Sequence, residues 1–331
     1  MTDKVLDLGF GTTIQLRYFS LARYALTEAF RVLGLRPGDK VLLPEYVCRD
    51  LLASLHQLSL TPVWYEVNEK LSPSQSPTSW PEAKVVLAID YFGFEQDLNP
   101  FFSYSKRTGA VVIEDNAHGF LSKSSAGHFL GTRAAFGLFS FRKTLLIGHG
   151  AALAINTQHT KLKPLKQVPF TSLPMTTQIR VRRALRNWFR TRMVDYFLAR
   201  GLRYWRKLRG LSEIPLPPLD AEICIPGEAN PSEFLLVDLN RRKFNVEIQR
   251  RRTLYLKLEE SAKSQGLKLV FPGLPKNTVP YALPVFGDNI EAIKKIASAA
   301  HLDYFKWPDI PDELKKSAPK HYTNIYLINL L

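Results

Sequence analysis

Lys143, Ser140 and Asp115 are the side chains whose types and placement in this chain suit chemistry. Asp115 ends the strand AVVIED, and Ser140 and Lys143 lie at the end of AAFGLFSF, in the run SFRK. In doubly wound sheets ligands bind beyond the carboxyl ends of the strands, so the three are predicted to face one crevice. Residues 20–26, SLARYAL, open a helix whose first N–H groups can hold an anion. Each feature alone has an ordinary explanation. An acid at a strand end caps a helix or binds a metal, a serine there forms a turn, and a lysine after a strand is solvated. Together they offer a lysine to add to an aldehyde, a carboxylate to keep a ring nitrogen protonated, and polar groups at a helix start for a phosphate. Those are the requirements of a pyridoxal phosphate site.

The elements that would position these residues alternate in type. SLARYALTEAFRVL (20–33) has apolar residues at helical spacing and stops at Gly34. KVLLP (40–44) is predicted as a short buried strand, 48–58 as a helix and PVWYEV (62–67) as the next strand. KVVLAIDYFG (84–93) and AVVIEDNA (110–117) are continuous apolar runs, the pattern of strands covered on both faces of a parallel sheet. AAFGLFSF (134–141) and GAALAIN (150–156) continue the alternation, and 232–265 is predicted as one long helix. The fold class expected is α/β: a three-layer sandwich with a mostly parallel sheet, plus a small C-terminal α+β domain. The expected boundaries are 1–157 for the large domain, 158–229 for a basic helical insert with a Pro-rich linker, and 230–331 for the long helix and small domain.

The chain has 331 residues and a formal net charge of +15, from 45 Lys and Arg against 30 Asp and Glu. Residues 178–209 hold eleven of those bases and one acid, so about ten units of the net charge belong to that segment. A solvated helical face, a helix on an anionic membrane surface and a contact with the diphosphate of a nucleotide-sugar all fit it. Nucleic acid is not an expected partner, because no helix-turn-helix, zinc or single-strand-binding signature accompanies the charge. Cys48 and Cys224 form no metal-binding pattern, so no metal is expected. The N-terminal MTDKVLDLGFGTT does not read as a secretion signal, and the expected location is the cytoplasm, with residues 178–209 as a peripheral membrane contact.

Three stretches resemble the DegT-type sugar aminotransferases of fold type I pyridoxal-phosphate enzymes: ARYALTEAFRVLGLRPGDKVLLPEY, VVIEDNAHGF and AFGLFSFRKTLLIGHGAALAIN. A weaker fourth is PSEFLLVDLNRRKFNVEIQRRRTLYLKL. The resemblance implies that Asp115 pairs with the pyridine nitrogen and that Lys143 is the Schiff-base lysine and proton shuttle. It also implies that His118 lies near the ring hydroxyl and that Ser140, with Ala22 and Arg23, binds the phosphate. Ala22 stands where the family has Gly, and Cys48 where it has an aromatic that stacks on the ring, which leaves Tyr46 to cover that face. The loop from Ser140 to Lys143 is two residues shorter than usual, and the Asn that a neighbouring subunit supplies is missing near Glu228. A lysine where dehydratase relatives carry His favours amino transfer. The implied partners are a keto-sugar, usually nucleotide-linked in the family, glutamate as amine donor, and a second copy in a homodimer, within cell-surface polysaccharide biosynthesis. A non-catalytic member that uses its basic surface, and a pyridoxal-phosphate lyase or dehydratase, are the competing expectations.

Overall fold

The computed structural model describes residues 9–145, 147–160, 166–171, 201, 204–206, 208–210 and 218–331. Most of the basic segment 178–209, where helices are expected, lies outside the described residues.

Seven strands form the principal sheet: β1 (Ile14–Phe19), β2 (Lys40–Pro44), β3 (Thr61–Tyr65), β4 (Val85–Ile89), β5 (Val111–Asn116), β6 (Phe136–Ser140) and β7 (Ala151–Asn156). Their spatial order is β1-β7-β6-β5-β4-β2-β3. Neighbours from β3 to β6 run parallel, whereas β7 runs antiparallel to both β6 and β1. The chain is thus α/β with a mostly parallel sheet, as expected. Val85–Ile89 and Ala151–Asn156 are buried along their whole length, which is why they read as unbroken apolar runs. Strand β1, IQLRYF, has no counterpart among the expected strands. It is an edge strand, only its last two residues are buried, and polar residues interrupt its apolar pattern.

Helix α1 (Ala22–Val32) buries Ala25, Leu26, Ala29 and Phe30. The expected helix at 48–58 is a 3-10 turn, Arg49–Leu52, running into the short α2 (Ala53–His56). Helix α3 (Asn99–Thr108) ends at Gly109, whose φ of 76° is the left-handed conformation that glycine adopts without a Cβ clash. Helix α4 (Phe141–Thr144) is a single turn at the end of β6. The long helix expected over 232–265 is two helices, α5 (Phe234–Asn240) and α6 (Phe244–Ser264). They part at Lys243, whose ψ of 86° leaves the helical range.

The C-terminal part contains β8 (Ala282–Phe286), α7 (Ile290–Ala299), β9 (Tyr304–Lys306), α8 (Lys320–Thr323) and β10 (Ile325–Asn329). Its three strands form an antiparallel sheet ordered β8-β10-β9. Core residues from this sheet join those of the large sheet in one continuous apolar cluster, with Tyr46, Tyr91, Trp307 and Tyr322 at the junction. A polar network lies under the strand ends: Arg133 bridges Asp90 at 3.0 Å and Glu114 at 2.7 Å. Both carboxylates are fully buried. Burial and the nearby Glu114 push the Asp90 carboxyl well above the usual range, against the pull of Arg133.

Candidate active site

A cleft open to solvent lies beyond the carboxyl ends of β4, β5 and β6. Ala22, Arg23, Cys48, Asp115, His118, Ser140 and Lys143 all line it. Residues more than a hundred positions apart therefore converge where strand-end geometry places a ligand.

Asp115 sits near the end of β5, where its Oδ1 accepts the backbone N–H of Ala117 at 2.9 Å. Burial raises its carboxyl above the usual range, while that hydrogen bond and Lys143 pull it down. A desolvated carboxylate in this position favours a cationic partner such as a protonated ring nitrogen. Lys143 projects from α4, the turn that β6 runs into. Burial lowers its amine below the usual range, and Arg142 acts in the same direction, while Asp115 and Asp50 oppose it. A lysine so lowered is a better nucleophile at neutral pH. His118 Nε2 lies 3.0 Å from Lys143 Nζ. Burial, reinforced by Lys143 and Arg142, holds the imidazole well below its usual pKa, so it is neutral.

Other groups in the cleft suit a phosphate. Leu21 precedes α1 as a non-capping residue, and no acid lies in the first turn, so the N–H groups at Ala22 and Arg23 are not satisfied by a side-chain cap. Ser140 is 2% exposed, and its side chain does not cap α4 although it stands at the N-cap position. Uncapped N–H donors at the start of α1, with a desolvated carboxylate and a lowered lysine in the same cleft, match an aromatic aldehyde that carries a phosphate.

Tyr46 is not on the wall. It is fully buried and its hydroxyl donates to the carbonyl of Trp307 at 2.7 Å, so the expectation that it covers the cofactor ring does not match its position. Trp307 lines the cleft instead, as does Cys48. Arg49 ties down this segment: its N–H donates to the Asp309 carbonyl at 2.8 Å, and its guanidinium meets Asp312 at 3.2 Å and Glu222 at 3.5 Å. Burial pushes the Cys48 thiol up to about 12, so it stays protonated. Sequence reasoning also missed Arg251, which is fully buried on α6. It donates to the carbonyl of Thr144 at 2.6 Å and of Lys143 at 3.4 Å, and so holds the lysine turn. The triplet Arg250–Arg252 in a helix with an apolar face was the only signal that could have singled it out. Among the described residues no group of three or more His, Cys, Asp or Glu could hold a metal ion, and no helix is long and apolar enough to cross a membrane.

Known proteins resemble this chain over its first half and in its fold. Residues 20–169, which contain every residue of the cleft except Trp307, match the profile of the DegT/DnrJ/EryC1/StrS aminotransferase family. Protein MosB of Rhizobium meliloti is 30% identical over 133 residues, 38% of this chain and 25% of that protein. A Streptomyces kanamyceticus protein named as an L-glutamine:3-amino-2,3-dideoxy-scyllo-inosose aminotransferase is 27% identical over 143 residues, 39% of this chain and 32% of its own length. The matches thus span about a third or less of these curated relatives. In fold, the chain resembles a sugar aminotransferase of Streptococcus pneumoniae in its pyridoxal phosphate form, with a TM-score of 0.64 at 16% identity over 97% of this chain and 83% of that one. The chain shares its fold with the Streptococcus pneumoniae aminotransferase, and its residues 20–169 resemble the DegT/DnrJ/EryC1/StrS aminotransferase family.

Proposed function

We propose that this chain is a pyridoxal-phosphate-dependent aminotransferase that places an amino group on a keto-sugar. The observation that carries this reading is the convergence of Lys143, Asp115, His118, Ser140 and the uncapped start of α1 on one cleft. Lys143 Nζ would hold the cofactor, Asp115 would face its ring nitrogen, and Ser140 with the N–H groups at Ala22 and Arg23 would hold its phosphate. Trp307 and Cys48 both line the cleft, and Trp307 would supply the aromatic surface that residue 48 lacks. Bound there, the cofactor supplies an aldehyde and a ring that draws electrons from the reacting carbon. Lys143 Nζ, its pKa lowered by burial, would be the base that removes the α-proton of the amino donor. Asp115 keeps the opposing positive charge in place, and the apolar walls of Leu26, Ile89, Val47 and Leu138 keep water away.

Glutamate as donor, a nucleotide-linked keto-sugar as acceptor, a homodimer, a cytoplasmic location and a role in cell-surface polysaccharide synthesis belong to this proposal. Arg23 and Arg142 on the cleft wall favour an anionic acceptor. The basic segment 178–209 is proposed as a contact with anionic membrane, which flotation with anionic vesicles tests. For the site, the test is addition of pyridoxal phosphate to the purified protein. A visible absorption band that is absent in Lys143→Ala and bleached by glutamate supports an aminotransferase. A protein that takes up no cofactor defeats the reading, and a band that glutamate leaves unchanged points to a lyase.

A further inference from the structure

The imidazole of His118 is held in a cage of rings. Phe92 and Tyr281 both stack on it, with centroids 5.5 and 5.0 Å away and interplanar angles of 24° and 11°. Trp307 meets it edge-on at 5.3 Å. Its two nitrogens therefore face fixed and different neighbours. Nδ1 receives the backbone N–H of Phe92 at 3.4 Å, and Nε2 lies 3.0 Å from Lys143 Nζ.

Phe92 has φ 56° and ψ 18°, a left-handed conformation that is costly for an aromatic residue. In that conformation its N–H is directed at Nδ1. A peptide N–H only donates, so Nδ1 must be the unprotonated nitrogen of a neutral imidazole. The ring proton is then on Nε2, pointing at Lys143. An ammonium has three donors and no acceptor, so it cannot receive that proton. The alternative, Nε2 accepting from a lysine ammonium, would set Nδ1–H against the Phe92 N–H, donor to donor.

We propose that the Phe92 N–H, by fixing the tautomer of His118, makes His118 a positioning residue that keeps Lys143 an uncharged amine with its lone pair held in one direction. The functional meaning of this rests on Lys143 being the cofactor-binding amine. The other groups near that amine do not replace His118. Arg142 also opposes a charge on it, Asp115 and Asp50 favour one, and the buried thiol of Cys48 stays protonated. The device poises the lysine before any carbonyl arrives.

The test uses the full, cofactor-free protein labelled with 15N-histidine, with the His118 signals assigned by their loss in His118→Gln. The expected spectrum has Nε2 protonated and Nδ1 bare, unchanged between about pH 6 and pH 9. A protonated Nδ1, or a ring that titrates in that range, overturns the proposal. A second measurement tracks acetylation of Lys143 against pH by mass spectrometry. A Gln side chain can turn its oxygen to accept from an ammonium, so His118→Gln is expected to raise the midpoint by about one unit, roughly a tenfold loss of free amine near neutrality. An unmoved midpoint overturns the proposal. Bare Nδ1 and a raised midpoint in a protein that takes up no pyridoxal phosphate support the proposal and sink the cofactor reading alone. Cofactor uptake with a protonated Nδ1 does the reverse.

Discussion

Replacing Arg251 by Met tests how the lysine turn is held. The guanidinium is fully buried and donates to Thr144 O at 2.6 Å, Pro280 O at 3.0 Å, Tyr281 O at 3.3 Å and Lys143 O at 3.4 Å, with Glu247 at 2.7 Å. Methionine fills most of the volume but donates nothing. Glu247 keeps Arg250 at 2.8 Å, so the substitution does not leave a lone buried carboxylate. The cost therefore comes from the carbonyls. The two shortest bonds, to Thr144 and Pro280, weigh most, and an unsatisfied buried acceptor costs roughly 1–3 kcal/mol. The expected loss is about 4 kcal/mol, a large share of the 5–15 kcal/mol or so that stabilises a typical fold. Urea unfolding monitored by tryptophan fluorescence measures it as a lower midpoint with an unchanged slope. Arg251→Lys is expected to lose about half as much, since an ammonium still donates to some of these carbonyls. Arg251→Met is also expected to weaken pyridoxal phosphate uptake, because the main chain at Lys143 loses its clamp. A loss below about 1 kcal/mol would show that water or a neighbour satisfies the carbonyls and would refute the clamp.

Other outcomes are expected. In the cofactor-free protein, burial holds the Asp115 carboxyl above its usual 3.8, so the folded state binds this proton more tightly than the unfolded chain. That contribution to stability is present below the usual value and is lost as pH rises through the raised one, so Asp115→Asn should stabilise the apo protein at neutral pH in thermal melts while slowing the glutamate half-reaction by roughly a hundredfold or more. Native protein should release one thiol equivalent to an aromatic disulfide reagent at pH 8, from exposed Cys224, and a second only after denaturation, because Cys48 is held protonated. Gly137→Ala would place a Cβ against the Gly131 carbonyl oxygen, far inside van der Waals contact, and the expected destabilisation in urea is about 3 kcal/mol. Trp307→Ala should weaken cofactor binding without removing the visible band, whereas Cys48→Ser should leave both nearly unchanged.

Local pattern alone carried much of the site. The runs at 84–93, 110–117 and 134–141 could be read as strands because their residues are mostly buried and apolar up to the strand ends, where Glu114 and Asp115 in one and Ser140 in another break the run. Parallel strands then deliver those break points to one edge of the sheet, with α1 beginning beside them. Contacts between distant segments could not be read that way. Trp307 reaches the cleft through the β9 segment, and Arg251 reaches the lysine turn across 107 residues from Thr144. The direction in which Tyr46 points is set by Trp307, Tyr91 and Tyr322, which no local spacing encodes. The same holds for β7, whose apolar sequence is equally compatible with either direction and whose antiparallel course depends on the short return from α4. Residue type and strand periodicity thus determined which groups could do the chemistry. Packing of remote side chains decided which of them face the cleft, in what protonation state, and against what support, because burial and hydrogen-bond partners exist only once the chain has folded.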